Sequence, residues 1–163
     1  MTDTSKVCVY EDIASGRLHM LSFSPNCPLT VSEALAKDLP AGVTSFELVD
    51  ENMPKLFDRT FRNAWKFVPG IPATSVVTDM VQARDIQRDN LRIARKPILA
   101  ALDIEYMQAD EAGDSAAKTS IAAEKQLLRD VTQDVRITNA TTEATLKAWD
   151  LETLGVVPTR HRS

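Results

Sequence analysis

The side chains best suited to chemistry in this sequence are few and widely separated. The only histidines, His19 and His161, lie near opposite ends of the chain, and Cys8 and Cys27 are the only cysteines. Because these residues show neither CxxC spacing nor a histidine pair one helical turn apart, we expect no metal site. A dyad of Cys8 and His19 is conceivable between neighbouring strands, but no nearby residue would orient the imidazole, and we expect no nucleophilic catalysis.

The remaining chemical patterns are also weak. The five glycines are scattered singly, so the sequence predicts no phosphate-binding loop and no bound cofactor. Asp85 and Asp89 are spaced one helical turn apart and alternate with arginines, which is typical of a solvated, salt-bridged helix surface. We therefore expect a protein that is not an enzyme.

An arginine ridge is the one strongly charged feature, formed by Arg84, Arg88, Arg92 and Arg95 at helical spacing. Such a ridge can follow a phosphate backbone with salt-sensitive affinity, meet an acidic surface of another protein, or keep the helix soluble. The net charge of −4 argues against a general nucleic-acid binder. Nucleic acid is thus the weakest of these alternatives.

Composition indicates an ordinary globular protein. In 163 residues, 44% are hydrophobic and 26% charged, which suits one domain or one domain with an appendage. Aromatic residues make up only 6%, so the core must be mainly aliphatic, as in closely packed helices. We expect no membrane span, since no run of eighteen apolar residues occurs, and no secretory signal. Two cysteines without metal spacing favour a reduced, cytoplasmic origin.

The N-terminal part predicts a small ββαβ module. Apolar alternation in residues 6–11 and 17–23, with Gly16 between them, indicates a hairpin. Thr30 and Glu33 form a capping box that opens a short helix, and Gly42 can occupy the left-handed position beyond its end. Residues 44–49 alternate again and predict a third strand.

An aromatic segment follows, in which Phe57, Phe61 and Trp65 fall on one face of a predicted short helix. This face either closes the core of the small module or forms an exposed docking surface anchored by Phe61 and Trp65. The Pro/Gly-rich residues 68–75 then predict a domain boundary.

Beyond that boundary the sequence predicts two long helices. Ile86, Ile93, Ala100 and Met107 recur every seven residues, and other apolar residues beside them widen the stripe. Pro97 interrupts this helix and predicts a kink or a break.

Gly113 ends the first long helix, Asp114 or Ser115 begins the second, and the short turn makes the two helices antiparallel neighbours. A last short helix ends at Trp149, which lies on its small apolar edge. A thin hairpin has little core of its own, so it would gain most by packing in a homo-oligomer or on a scaffold.

Together these patterns predict an α+β fold, with a small N-terminal ββαβ module, a long antiparallel helical hairpin and a short C-terminal helix. The predicted divisions are a module over 1–70, a linker over 71–77, the hairpin with its short helix over 78–150, and a tail over 151–163. We expect the tail to be flexible or ordered by a partner.

Several segments resemble a family of small proteins encoded among the tail and virion genes of bacteriophages and prophages. They are KDLPAG (37–42), DRTFRNAW (58–65), RDIQRDNLRIARKPILAALDIEY (84–106), KQLLRDVT (125–132) and ATTEATLKAW (140–149). The QLLRD segment is also similar to tail-fibre assembly proteins. The resemblance covers residues 30–150, in order.

The resemblance implies a non-enzymatic structural protein of the virion, associated with the tail or the head–tail junction and made in the host cytoplasm. Its partners would be other phage structural proteins, with the chain present as a homo-oligomer or in many copies. Alternatives are a tail-fibre assembly chaperone that does not stay in the particle, and a nucleic-acid-associated regulator that uses the arginine ridge. The candidates for protein contacts are Phe57, Phe61, Trp65, Arg88, Arg92, Ile93 and Trp149.

Overall fold

The computed structural model describes residues 7–12, 17–22, 26–43, 45–48, 58–68 and 75–159. The chain divides into two compact units, Met1–Asp79 and Met80–Ser163. Within the described ranges, no helix is both long and apolar enough to cross a bilayer.

The first unit contains a three-stranded antiparallel sheet. Strands β1 (Val7–Asp12) and β2 (Arg17–Ser22) form the predicted hairpin. Strand β3 (Ser45–Leu48) pairs with the other edge of β1, which gives the order β2-β1-β3. Helix α1 (Val31–Asp38) lies between β2 and β3 in the chain, so the predicted ββαβ order is confirmed.

Helix α1 begins at the predicted capping box. The backbone N–H of Glu33 donates to the Thr30 hydroxyl at 3.3 Å, and the backbone N–H of Thr30 donates to the Glu33 carboxylate at 2.8 Å. The bonds that Thr30 donates, from its backbone and its hydroxyl, lower the pKa of Glu33. Gly42 has the expected left-handed φ of +81°. It does not end the helix, however, because the helix ends at Asp38 and its C-cap residue, Leu39, is extended.

A second, two-stranded sheet completes this unit. Strand β4 (Trp65–Val68) pairs antiparallel with β5 (Ser75–Thr78), and a 3₁₀ turn (Arg62–Ala64) precedes it. Val9, Trp65 and Val76 form the shared core. The helix predicted from the spacing of the aromatic residues is therefore wrong for 62–65, and part of the predicted linker (71–77) is strand. Strands β4 and β5 are both rich in β-branched or aromatic residues, and their pairing outweighs the helical spacing of the aromatic residues.

The second unit is built on the predicted helical hairpin. Helix α2 (Met80–Glu111) and helix α3 (Ser115–Asp130) are joined by a turn in which Gly113 has a φ of +68°. The Asp114 carboxylate accepts a hydrogen bond from the backbone N–H of Ala117 at 2.9 Å and so caps α3. Leu102, Ala109, Ile121 and Leu128 form the core between the two helices. Pro97 lies inside α2, which continues through it without a break.

The C-terminal segments pack into this same unit. A 3₁₀ turn (Val131–Gln133) leads into α4 (Val135–Asn139) and α5 (Glu143–Lys147), which bury Ile137 and Leu146. The expectation of a flexible tail over 151–163 is wrong for 151–159, because Leu151, Leu154 and Val157 are buried there. The rest of the predicted tail lies outside the described residues.

Candidate interaction surfaces

The β1–β2 hairpin brings the two candidate catalytic residues of the first unit into one sheet without pairing them. His19 lies opposite Tyr10, and their rings stack with centroids 5.2 Å apart. Cys8 lies opposite Leu21 and is buried. The register therefore sets the imidazole against a phenol ring instead of opposite the thiol.

No metal centre is visible among the placed side chains. In the described ranges, no three His, Cys, Asp or Glu side chains come close enough to share an ion. An open cavity of about 140 Å³ in the first unit is lined by Leu18, His19, Met20, Arg59, Arg62 and Trp65. Its volume is below the roughly 300–1,000 Å³ of ordinary ligand sites.

The two predicted anchors of the aromatic segment, Phe61 and Trp65, are not exposed. Phe61 and Trp65 are both buried, and Trp65 belongs to the core between the two sheets. Phe57 lies outside the described residues. Of the two interpretations of this segment, the placement of Phe61 and Trp65 favours the core.

The arginine ridge of α2 is largely engaged inside the second unit. Arg84 donates to the carbonyl of Ala140 through Nη2 at 2.8 Å and through Nε at 3.2 Å. Arg88 reaches the carbonyl of Thr132 at 3.3 Å, and another of its N–H groups donates to Asp85 at 2.8 Å.

Arg95 caps the C-terminal end of α3. Its Nη1 donates to the carbonyls of Leu128 and Arg129, at 2.9 and 2.6 Å. These carbonyls belong to the last turn of the helix, where no intrahelical donor is available and where the helix dipole favours a cation. Arg92, by contrast, donates to Asp89, three residues earlier on the same exposed surface, and to no carbonyl of the described residues.

Trp149 is part of the packing that fixes the C-terminal segments. Its carbonyl accepts a hydrogen bond from Nε2 of the buried Gln87 at 2.9 Å, and the Arg136 guanidinium lies 5.2 Å from its ring centroid. Its buried Nε1 finds no acceptor among the described residues. Trp149 is half-buried, and the Arg136 guanidinium already occupies one face of its ring.

Arg136 also determines the electrostatics beside Trp149. Hydrogen bonds from its guanidinium and its backbone N–H to Asp134, with the charge attraction between them, lower the pKa of the Asp134 carboxyl. A further bond runs from Arg136 Nη2 to the carbonyl of Leu154 at 3.1 Å. The hydrogen bond with Asp110 similarly raises the pKa of Lys118 in the hairpin.

A largely apolar and exposed stripe runs along α2, and we call it the outer seam. Its members alternate at spacings of four and three residues: Ile86, Asn90, Ile93, Pro97, Ala100, Ile104, Met107 and Glu111. Ile93, Ile104 and Met107 are 64, 54 and 56% exposed. On a helical wheel this seam is opposite Leu91, Leu102 and Ala109, which are buried.

The outer seam corrects the interpretation of the seven-residue repeat. Ile86, Ile93, Ala100 and Met107 do lie on one face of α2, but it is not the face that packs on α3. Ile104 belongs to the same face and is missed by the seven-residue count. The alternation of four and three residues, with Ile104 between Ala100 and Met107, is the signal that finds it.

Comparison of the chain with protein-family models, curated proteins and solved structures gives no match.

Proposed function

We propose that this chain is a non-enzymatic structural protein of a phage particle, associated with the tail or the head–tail junction. It acts by packing its helical hairpin against other proteins of the particle, and it is made in the host cytoplasm and carried in the virion. The phage assignment rests on the resemblance of the segments between residues 30 and 150. The outer seam is the observation that supports a packing role.

An exposed apolar face of this length is costly for a protein that acts alone. Three large apolar side chains of α2 are more than half exposed along one line. Burying such a side chain stabilises a complex by about 1.5–3 kcal/mol, so covering the seam favours association. Contiguous apolar patches of this kind mark interaction sites on soluble proteins.

The other candidate contacts give less support. Phe61, Trp65 and Trp149 are buried or half-buried, and Arg84, Arg88 and Arg95 donate to carbonyls of their own unit. Arg92 and Ile93 remain accessible candidates. Because three of its four arginines donate to backbone carbonyls of their own unit, the ridge is a poor phosphate-binding surface, and we propose no nucleic-acid role.

The test is to detect the chain in particles purified from an induced lysogen that encodes it. We expect the chain in the particles, at a fixed ratio to a known tail protein. A seam variant, Ile93→Ser, should be made and folded but depleted from particles. The matched control is Leu127→Ser, on α3 and 56% exposed, which should be incorporated normally.

If the parent chain is abundant in the lysate and absent from purified particles, the structural role is wrong. The same result would favour the tail-fibre assembly chaperone, particularly if fibres are then missing from particles that lack the chain.

A further inference from the structure

The open cavity of the first unit is lined by positive charge that no described residue neutralises. Arg59 and Arg62 both line it and are exposed, and none of the described residues that line it is acidic. The side chains of these two arginines make no hydrogen bond or ion pair within the described ranges. Arg84, Arg88 and Arg95 of the ridge, by contrast, donate to carbonyls of their own unit. The two arginines at the cavity are therefore available to a ligand.

A tight turn of the backbone connects these two arginines. The backbone N–H of Arg62 donates to the carbonyl of Arg59 at 3.2 Å, and Phe61, which lies between them, is buried and anchors the turn. The nearest acid in the sequence, Asp58, accepts hydrogen bonds from the backbone N–H and the hydroxyl of Thr60, at 3.2 and 2.7 Å. The turn thus presents two guanidinium groups to one cavity, while its carboxylate is engaged elsewhere.

The rest of the cavity is mainly apolar. Leu18 and Met20 of β2 line it together with the buried Trp65, against which both pack. His19 alternates with them along the strand, so its side chain leaves the opposite face, where the imidazole stacks on Tyr10. We therefore assign the imidazole no role in binding. An apolar wall lowers the local dielectric constant and strengthens the attraction between the guanidinium groups and an anion.

We propose that this cavity binds a phosphate group, held by the guanidinium groups of Arg59 and Arg62. Guanidinium presents a planar fork of N–H donors that matches the oxygens of phosphate, and such charge-assisted hydrogen bonds are strong. Two unpaired positive charges match the nearly double negative charge of a phosphate monoester at neutral pH. A carboxylate or a nucleic-acid phosphodiester carries one charge and would leave one guanidinium unmatched. The inference is independent of the proposed packing role.

The size of the cavity suits a single tetrahedral anion. Its volume is about 140 Å³, and each molecule in liquid water occupies about 30 Å³, so the cavity has room for roughly four waters. A phosphate group can replace these waters, whereas a whole nucleotide needs a larger site. Because the cavity is open, one oxygen of the anion can carry an ester that extends into solvent.

The first experiment titrates the full chain with sodium phosphate and follows its ¹H–¹⁵N spectrum, with chloride used to hold the ionic strength constant. We expect the indole resonance of Trp65 to shift and to saturate, with a Kd on the order of 1 mM. Trp149 does not line the cavity, so its indole resonance is the internal reference and should not move. Sulfate, which has the same shape and charge, should compete with phosphate.

The second experiment repeats the titration with substituted chains. Arg59→Gln and Arg62→Gln should each weaken phosphate binding about tenfold, because each removes charge-assisted hydrogen bonds to the anion. Arg62→Lys keeps the charge but loses the planar fork, so its affinity should be intermediate. The matched control is Lys37→Gln, which removes an exposed charge of α1 outside the cavity and should bind like the parent. The dispersion of each spectrum shows whether the variant is folded.

A third titration distinguishes free phosphate from a phosphate monoester. Glycerol 3-phosphate carries the same dianion on a larger molecule. If it binds more tightly than inorganic phosphate, the site takes a monoester through the open side of the cavity, and if it binds more weakly, the site takes free phosphate. Acetate, with its single charge, should bind more weakly than either.

A shift of the Trp65 resonance that is no larger in phosphate than in chloride would overturn the inference. Equal weakening by Lys37→Gln and Arg59→Gln would also overturn it, because the anion would then respond only to net charge. Acetate that binds as tightly as phosphate would refute the preference for a dianion. None of these results depends on whether the chain is found in particles, so the inference and the proposed function can fail separately.

Discussion

Replacing Arg95 with methionine tests whether a side chain of α2 caps the C-terminal end of α3. Methionine keeps the aliphatic length of arginine but removes both hydrogen bonds, to the carbonyls of Leu128 and Arg129. A hydrogen bond to a charged group contributes about 1.5–3 kcal/mol, and a cation at a helix C-terminus about 0.3–1 kcal/mol. Water can replace part of both bonds because Arg95 is only half-buried, so we expect a loss of about 1.5–3 kcal/mol in all.

The matched control is Arg92→Met, one turn earlier on the same helix. Arg92 is 46% exposed and pairs with the exposed Asp89, three residues away. Such surface pairs contribute about 0–1 kcal/mol, so this variant should unfold at a urea midpoint close to that of the parent protein. Neither arginine belongs to the outer seam.

The assay is equilibrium unfolding in urea, followed by far-UV circular dichroism, in which the helices of the second unit dominate the signal. Arg95→Met should shift the urea midpoint well below that of Arg92→Met with no change in slope. Equal midpoints for the two variants would refute the capping role of Arg95.

Three other substitutions test the packing of the second unit. Leu128→Ala, at a fully buried residue, should lower the free energy of unfolding in urea by about 2–5 kcal/mol. Leu127→Ala, at its exposed neighbour, should lower it by about 0.5 kcal/mol or less. Similar losses for the two variants would contradict the burial of the Leu128 face of α3. Asp134→Asn should destabilise the protein at neutral pH, and this loss of stability should shrink below about pH 4. The reason is that a carboxyl with a lowered folded-state pKa stabilises the fold above its unfolded pKa and ceases to do so as it is protonated. A loss of stability that does not vary with pH in acid titrations would refute the ion pair. Pro97→Ala should raise the free energy of unfolding by about 1–3 kcal/mol, and with it the urea midpoint, since alanine restores a backbone donor in the exposed interior of α2. An unchanged or lower midpoint would show that proline does not destabilise the helix at this position.

Sequence reasoning succeeded where one local signal decides the structure. The capping box at Thr30 and Glu33, the turn at Gly113 and Asp114, and the alternation in the first two strands each depend on a few adjacent residues. Their physical causes are local hydrogen bonds and backbone conformation, which the sequence carries directly. The α+β class and the order of elements follow from these signals.

Sequence reasoning failed where two patterns compete for the same residues. The segment around Phe61 and Trp65 has helical spacing, but Trp65 pairs with Thr78 in a sheet because the strands can bury their side chains together. Helix α2 carries apolar residues on two opposite faces, and only the position of α3 decides that Leu102 is inside and Ile104 outside.

The arginine ridge shows a third reason for error. Its spacing fits a solvated surface, but Arg84, Arg88 and Arg95 bind carbonyls that lie 33 to 56 residues further along the chain. Side-chain types do not indicate which backbone carbonyls will accept a hydrogen bond. No pattern within α2 could therefore identify the acceptors.

These distant acceptors have a consequence for how the second unit forms during synthesis. The hairpin contacts are available once α3 has left the ribosome, but the acceptors of Arg84 and Gln87, at Ala140 and Trp149, emerge later. Contacts of large sequence separation form slowly because the intervening loop must first close. Until the final segments are released, the Arg84 guanidinium and the Gln87 amide of the nascent hairpin can be satisfied only by water, and the carbonyls of Ala140 and Trp149 then replace that water.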